Sequence, residues 1–307
     1  MSDRVAIIGA GHVGAATAYA LMLRGLFPEM VLIDTAAELA VAEAEDISDA
    51  SALARPARIF AGTYADAASA RIALLTAGAA TQGAASRLSV AAHSAEIVTS
   101  CVAQLVDAGF KGILIVAANP VDVMAWTAFR RAALPAARVI GTGTLLDTCR
   151  LRQAIAARLN VAPESVEGVV LGEHGDSEVA VLSAIRVGGL PLAGFAPGVI
   201  DGHNLAREVR DAGYKIVTGK GYTSFGIATA AVRICEAIVR DERVVLPVST
   251  LLTGQFGLSD LYLSLPCLVG AEGIARVLVP ELSESETAAL LASASTIRKA
   301  IDGLAIS

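Results

Sequence analysis

Three ionisable side chains in this chain have the types and setting for proton transfer and carboxylate binding. His174 stands in the run GEHGDSE, residues 172–178, directly after the apolar stretch VEGVVL. A histidine between Gly172 and Gly175 at the end of a strand is conformationally placed rather than packed, which suits proton transfer, although the same pattern describes an ordinary loop histidine. Asp147 and Arg150 are spaced i and i+3 on a helix pattern, so both side chains leave one face. They are either a solvated ion pair worth about 0.3–0.5 kcal/mol or a divided pair. In the second case Asp147 orients His174, and Arg150 grips a substrate carboxylate with its two-pronged guanidinium. The remaining histidines carry less: His12 lines a glycine turn, and His93 and His203 fall on helix patterns.

Two further polar residues end or follow strands. Arg87 closes AGAATQGAASR, residues 77–87, a segment of small residues that reads either as a lid able to close over a bound cofactor or as a loose surface loop. Asn119, in AANPVD after the strand GILIV, sits at a carboxyl strand end, the edge where doubly wound sheets hold ligands; Asn before Pro is also a common turn.

Residues 9–14 read GAGHVG, after the strand VAII and at the start of a helix pattern. Gly9 permits a tight turn, Gly11 lets the backbone approach a pyrophosphate, and Gly14 lets the helix pack close to the sheet. His12 and Val13 complete a helix N-terminus whose free N–H groups attract phosphate. Asp34 ends the next strand, 20 residues after Gly14, where a carboxylate accepts hydrogen bonds from a ribose diol and repels a 2′-phosphate. That favours NAD over NADP.

The elements that must position these groups alternate through the first half. Strands are expected at Val5–Ile8, Met30–Ile33, Arg58–Ala61, Ile72–Thr76, Ile113–Ala117 and Arg138–Ile140, with helices at His12–Arg24, Ala36–Leu53 and Leu88–Ala108. Repeated strand and helix units demand crossovers, hence an α/β fold with a doubly wound, mostly parallel sheet covered on both faces. After residue 141 the rhythm changes. A helix is expected over Leu145–Leu159, strands near Val166–Leu171 and Val179–Val187, helices over Val199–Thr218 and Thr223–Arg240, further short strands beyond Val244, and a closing helix from Glu284 to Ile306. A boundary near 141–143 divides the chain into residues 1–141 and 142–307.

Composition narrows the function classes. Charged residues are only 18% and apolar residues 54%, which excludes the signature of disorder. A net charge of −6 argues against a surface that tracks nucleic-acid phosphates, while leaving room for a locally positive pocket. Cys101, Cys149, Cys235 and Cys267 are too far apart for a metal knuckle and too few for a disulfide framework, so no metal site is expected and a reducing cytoplasm fits best. Val5–Leu23 is 19 residues without a formal charge, but Gly9, Gly11, His12 and Gly14 interrupt it where a signal core or membrane helix is continuously apolar.

Taken together the motifs resemble the L-lactate/L-malate dehydrogenase family, the lactate branch most closely. The match runs over nearly the whole chain: GAGHVG, LID ending in Asp34, TAG at 76–78, SRL at 86–88, NPVD at 119–122, LLDTCR at 145–150, GEHGDS at 172–177 and KGYTSF at 220–225. The resemblance implies a Rossmann NAD-binding domain followed by an α+β catalytic domain. It implies His174 as proton donor and acceptor, Asp147 as its partner, Arg150 on the substrate carboxylate and Arg87 on a mobile loop polarising the carbonyl. It also implies that Ala77, Gly78 and Asn119 touch the dinucleotide, that Asn119 and Thr223 line the substrate pocket, and that the protein is a homotetramer or dimer. The reaction is then reversible hydride transfer between NADH and a 2-oxo monocarboxylic acid, pyruvate to L-lactate, in cytoplasmic pyruvate metabolism and glycolysis.

The departures from the family pattern bear on the substrate. Malate dehydrogenases carry a mobile-loop arginine for the second carboxylate; here that position is Thr81, next to Gln82, and no cation lies between Gly78 and Ser86. A dicarboxylate would bring an unpaired charge into a desolvated pocket, so malate is disfavoured. Thr81 is small, and Gly213 stands where family members commonly have alanine, so a longer-chain 2-oxo acid is the alternative. Arg152 matches an arginine that binds fructose 1,6-bisphosphate in many bacterial members, but Glu167 replaces the accompanying histidine and repels phosphate, so weak or absent activation is expected. A non-catalytic NAD-binding redox sensor is the alternative from another class; it would need none of His174, Asp147, Arg150 and Arg87 as a set.

Overall fold

The computed structural model describes residues 3–79 and 87–304, with the side chains of residues 87–89 outside that description. The first half builds β1 (Arg4–Ile8), α1 (His12–Arg24), β2 (Glu29–Ile33), α2 (Ala37–Ser51), β3 (Arg58–Ala61), α3 (Tyr64–Ala67), β4 (Ile72–Leu75), α4 (Arg87–Asp107), β5 (Ile113–Val116), α5 (Val121–Ala132) and β6 (Val139–Gly141). These six strands are parallel and lie in the order β3-β2-β1-β4-β5-β6, the doubly wound arrangement.

Alternation along the strands explains why both faces are covered. Ala6, Ile8, Val31, Ile33, Ala73 and Leu75 point into one buried cluster with α4, α5 and the closing helix; Val5, Ile7, Met30, Leu32, Ile72 and Leu74 point into another with α1, α2 and a later helix. Strands buried on two sides need apolar residues at every position, which is what IALL and ILIV supply.

The second half adds α6 (Leu145–Leu159), β7 (Val166–Glu167), β8 (Val170–Leu171), β9 (Val179–Ala180), β10 (Arg186–Val187), β11 (Leu190–Pro191), α7 (Leu192–Phe195), α8 (Gly202–Lys220), α9 (Phe225–Val239), β12 (Val244–Thr253), β13 (Ser259–Gly270), β14 (Gly273–Val277) and α10 (Glu284–Asp302). A third apolar cluster joins α6 and α8 through Leu151, Ile155, Leu205 and Val209 to Val166 and Val170.

Several expectations change here. The strands beyond Val244 are not short: β12 has 10 residues and β13 has 12, and with β14 they extend the parallel sheet to nine strands through an antiparallel join of β12 to β6. Pro247 of β12 and Pro266 of β13 pair with each other, so both missing N–H groups fall on one cross-strand position. The stretch Val166–Leu171 divides into two strands, and Val179–Val187 is interrupted by a helical turn at Leu182–Ala184. The helix expected from Val199, α8, starts at Gly202 instead, because the Asp201 side chain accepts from the backbone N–H groups of His203 and Asn204 and caps it there. Helix α5 was not anticipated. Among the described residues no helix is long and apolar enough to cross a membrane.

Candidate active site

The connection from β8 to β9, residues 172–178, carries His174, and several contacts fix where it lies. Gly172 pairs with Ser264 of β13, and the Glu173 N–H donates to Ser293 Oγ of α10 at 2.8 Å. The start of α6 is stitched to β8: Thr144 Oγ1 donates to the Val170 carbonyl at 2.6 Å, and the Val170 N–H donates to Thr148 Oγ1 at 2.9 Å. Those bonds bring the first turn of α6, where a carboxylate is favoured by the helix dipole, against the histidine loop.

His174 Nδ1 lies 2.5 Å from Asp147 Oδ2, and Arg150 Nη1 donates to Asp147 Oδ1 at 2.9 Å. The side chain of Asp147 is only 2% exposed, so its pairing with Arg150 is not a solvated surface bridge. From below, Asp122 Oδ2 accepts the His174 backbone N–H at 2.8 Å, while Asp122 Oδ1 accepts from Ser249 Oγ of β12 at 2.5 Å. The imidazole is thereby held at its ring and at its backbone by two buried carboxyl groups.

The electrostatics follow from these contacts. Burial opposes a charged His174, but the adjacent Asp147 charge and hydrogen bond outweigh it and push the imidazole up to about 9. Burial likewise opposes ionisation of Asp147, yet His174 and Arg150 hold it below the usual carboxylate range. Asp122 is pushed up to about 6 by burial, against the pull of Ser249 and the His174 N–H. At neutral pH the His174 imidazolium and the Arg150 guanidinium share the Asp147 carboxylate, while Asp122 lies on the backbone side of the histidine.

The dinucleotide turn lies at the carboxyl ends of β1, β2 and β4. Gly9 has φ +102° and an added Cβ would lie 2.6 Å from the Ala77 nitrogen, while a Cβ on Gly14 would lie 1.8 Å from the Gly9 carbonyl oxygen. A Cβ on Gly11 would meet nothing within 4 Å. Fold thus dictates the first and third glycines, and the second faces open space of the kind a pyrophosphate requires. Asp34 follows β2, its Oδ2 accepting from the Ala10 N–H at 2.7 Å and its Oδ1 from the Ala36 N–H at 2.9 Å. The Ala77 N–H donates to the Ile8 carbonyl at 2.9 Å, placing residues 77–78 beside the turn. His12 does more than line it: its ring stacks on Tyr222 at 3.9 Å.

Other expected residues are placed as follows. Gly213 of α8 faces Arg150, since an added Cβ would stand 3.9 Å from both terminal guanidinium nitrogens. Asn119 precedes α5 at the carboxyl edge of the sheet, three residues before Asp122, and Thr223 sits in the link between α8 and α9 next to Tyr222. Among the described residues neither hydrogen-bonds to the His174 group. Val13 lies in the first turn of α1. Thr81, Gln82 and the Arg87 side chain lie outside the described residues. His93 and His203 are exposed, His93 beside Glu96 at 3.4 Å. Asp122, Ser249, Tyr222 and Glu178 were missed as functional candidates; NPVD gave a signal for Asp122, but its burial depends on β12. No metal-binding cluster occurs among the described residues.

Comparison with known proteins gives consistent matches. The sequence profile of the lactate/malate dehydrogenase NAD binding domain matches residues 3–141, and that of the lactate/malate dehydrogenase alpha/beta C-terminal domain matches residues 144–305. The L-lactate dehydrogenase of Thermus aquaticus is 41% identical, with 98% of this chain and 99% of that protein covered. The L-lactate dehydrogenase of Pediococcus pentosaceus is 37% identical, with 98% and 96% covered. The crystal structure of the minor L-lactate dehydrogenase from Enterococcus mundtii in its ligands-bound form superposes with a TM-score of 0.96 at 37% identity, covering 100% of this chain and 99% of that one.

Proposed function

The chain belongs to the lactate/malate dehydrogenase family, and from that premise we propose how its residues interconvert pyruvate and L-lactate with NAD. Residues 1–141 hold the dinucleotide and 142–307 supply the proton donor and the carboxylate grip. The residues present fit the cofactor: Gly11 leaves backbone open for a pyrophosphate, and Asp34, just after β2, would accept from a ribose diol. When bound, NADH supplies the hydride to C2 of the oxo acid.

His174, charged at neutral pH, delivers a proton to the carbonyl oxygen, and in reverse the neutral ring takes it back. Asp147 fixes the ring tautomer and stabilises the imidazolium. Arg150 uses one nitrogen on Asp147 and offers its other donors to the substrate carboxylate, while Arg87 polarises the carbonyl. The observation that carries this assignment is the buried His174–Asp147–Arg150 hydrogen-bond chain.

The test is NADH absorbance with pyruvate, oxaloacetate and 2-oxoisocaproate in parallel, with His174→Ala as control. Turnover of pyruvate that survives the control removes His174 from the reaction. A longer-chain 2-oxo acid is favoured by one observation, the room that Gly213 leaves over the Arg150 fork. Oxaloacetate turns over poorly, since no cation lies between Gly78 and Ser86. A homo-oligomer, tetramer or dimer, in a reducing cytoplasm completes the proposal; its support is family membership and four free cysteines, three of them buried.

A further inference from the structure

Glu178 closes the histidine loop immediately before β9, and the scheme above gives it no task. Its side chain is buried, at 8% exposure, and Oε1 is sealed from solvent with no hydrogen-bond partner among the described residues. An orphaned carboxyl oxygen in a well-bonded site demands an explanation. The charged groups around it come from three elements: Asp147 and Arg150 from α6, Arg210 from α8, and His174 from its own loop. Asp122 of α5 acts on His174 as well. Two buried carboxyl groups, Asp147 and Glu178, therefore act on one imidazole, and among the described residues only Asp147 is tied to its ring by a hydrogen bond.

Building on the dehydrogenase assignment, we propose that Glu178 is a positioning residue for the proton of His174: its carboxyl lies in the field of the His174–Asp147 pair and sets the pH at which the imidazolium is lost. Burial and the Asp147 charge push Glu178 up to about 8, against the pull of His174, Arg210 and Arg150. The negative charge that Glu178 acquires as it ionises opposes loss of the imidazolium proton. The working range for oxo-acid reduction is extended upward by a group that never touches substrate.

The test is Glu178→Gln, which is uncharged at every pH and keeps the side-chain shape. The alkaline limb of kcat/KM for pyruvate reduction is expected to fall by at least about half a pH unit, and Glu178→Asp, which retains a carboxyl, is expected to restore most of it. A limb unmoved in a Gln variant that melts normally overturns the proposal. The wild-type protein supplies a second test that needs no variant. Only four histidines are present, so 15N-histidine labelling resolves His174, and its titration is expected to show two inflections, one from its own proton and one from that of Glu178. A single inflection overturns the proposal equally. Lack of pyruvate turnover by the wild type would instead refute the dehydrogenase assignment while leaving that titration curve as it is.

Discussion

Replacing Asp147 by asparagine isolates the charge that keeps His174 protonated. The variant keeps the side-chain shape and an oxygen for Arg150, but removes the negative charge 2.5 Å from the ring nitrogen. His174 stands at about 9 against an ordinary 6.5, so the site favours the imidazolium by about 3 kcal/mol, at 1.36 kcal/mol per unit. Without Asp147, burial opposes the charged ring and only the weaker pulls of Asp122 and Glu178 remain, so the group falls back toward its ordinary 6.5. At pH 7.5 the reactive imidazolium then falls to about a tenth or less of the protein, and the loss of ring orientation adds a further factor that in other histidine–aspartate pairs reaches about 10⁴.

The assay is NADH oxidation by pyruvate across pH 5 to 10. Wild-type reduction should fall as pH rises through about 9 while lactate oxidation rises, and in Asp147→Asn the reduction limb should move below pH 7. The sign for stability is the same. The folded-state value is raised, so the contribution is complete below about 6.5 and lost as pH rises through about 9. A variant whose reduction limb stays near pH 9 would refute the charge argument.

Arg150→Lys loses the fork and should raise KM for pyruvate by about 10- to 100-fold, corresponding to 1.5–3 kcal/mol for a charged hydrogen bond, in steady-state kinetics. Gly11→Ala should fold with a wild-type melting temperature but bind NADH more weakly by fluorescence titration, whereas Gly14→Ala should lower the melting temperature, because its methyl meets the Gly9 carbonyl at 1.8 Å. Gly213→Ala, whose Cβ finds ordinary contact distance from Arg150, should be stable and should lower the ratio of 2-oxoisocaproate to pyruvate turnover. Fructose 1,6-bisphosphate should leave the pyruvate saturation curve within about twofold, since Glu167 lies near Arg152, whose Nε is already engaged by the Gly168 carbonyl at 3.0 Å.

Much of the nucleotide half was legible in the sequence because its signals are local. Short apolar runs such as ILIV, alternating with helix patterns, fit a parallel sheet covered on both faces, and GAGHVG followed by Asp34 states its geometry within 26 residues. The pairing of His174 with Asp147 was posed by residue type, but i,i+3 spacing left a solvated bridge with Arg150 equally open. The choice needed the Thr144 and Thr148 bonds that seat α6 on β8. Asp122 and Glu178 were not legible as site residues, since an acid in a loop looks solvated until distant strands cover it. The length of β12 and β13 was not legible either, since it rests on tertiary pairing in which even Pro247 and Pro266 face each other.

The seam between β6 and β12 restricts how this molecule can admit its reactants. Gly141 pairs with Ser249, with so little space that a Cβ on Gly141 would lie 2.7 Å from the Ser249 Cβ, and the Ser249 hydroxyl reaches on to the carboxylate beneath the proton donor. Rocking one half against the other would therefore strain the Gly141–Ser249 pairing and the Ser249–Asp122–His174 contacts together. On the dehydrogenase assignment proposed above, the frame that seats His174 is therefore expected to stay fixed while reactants enter and leave.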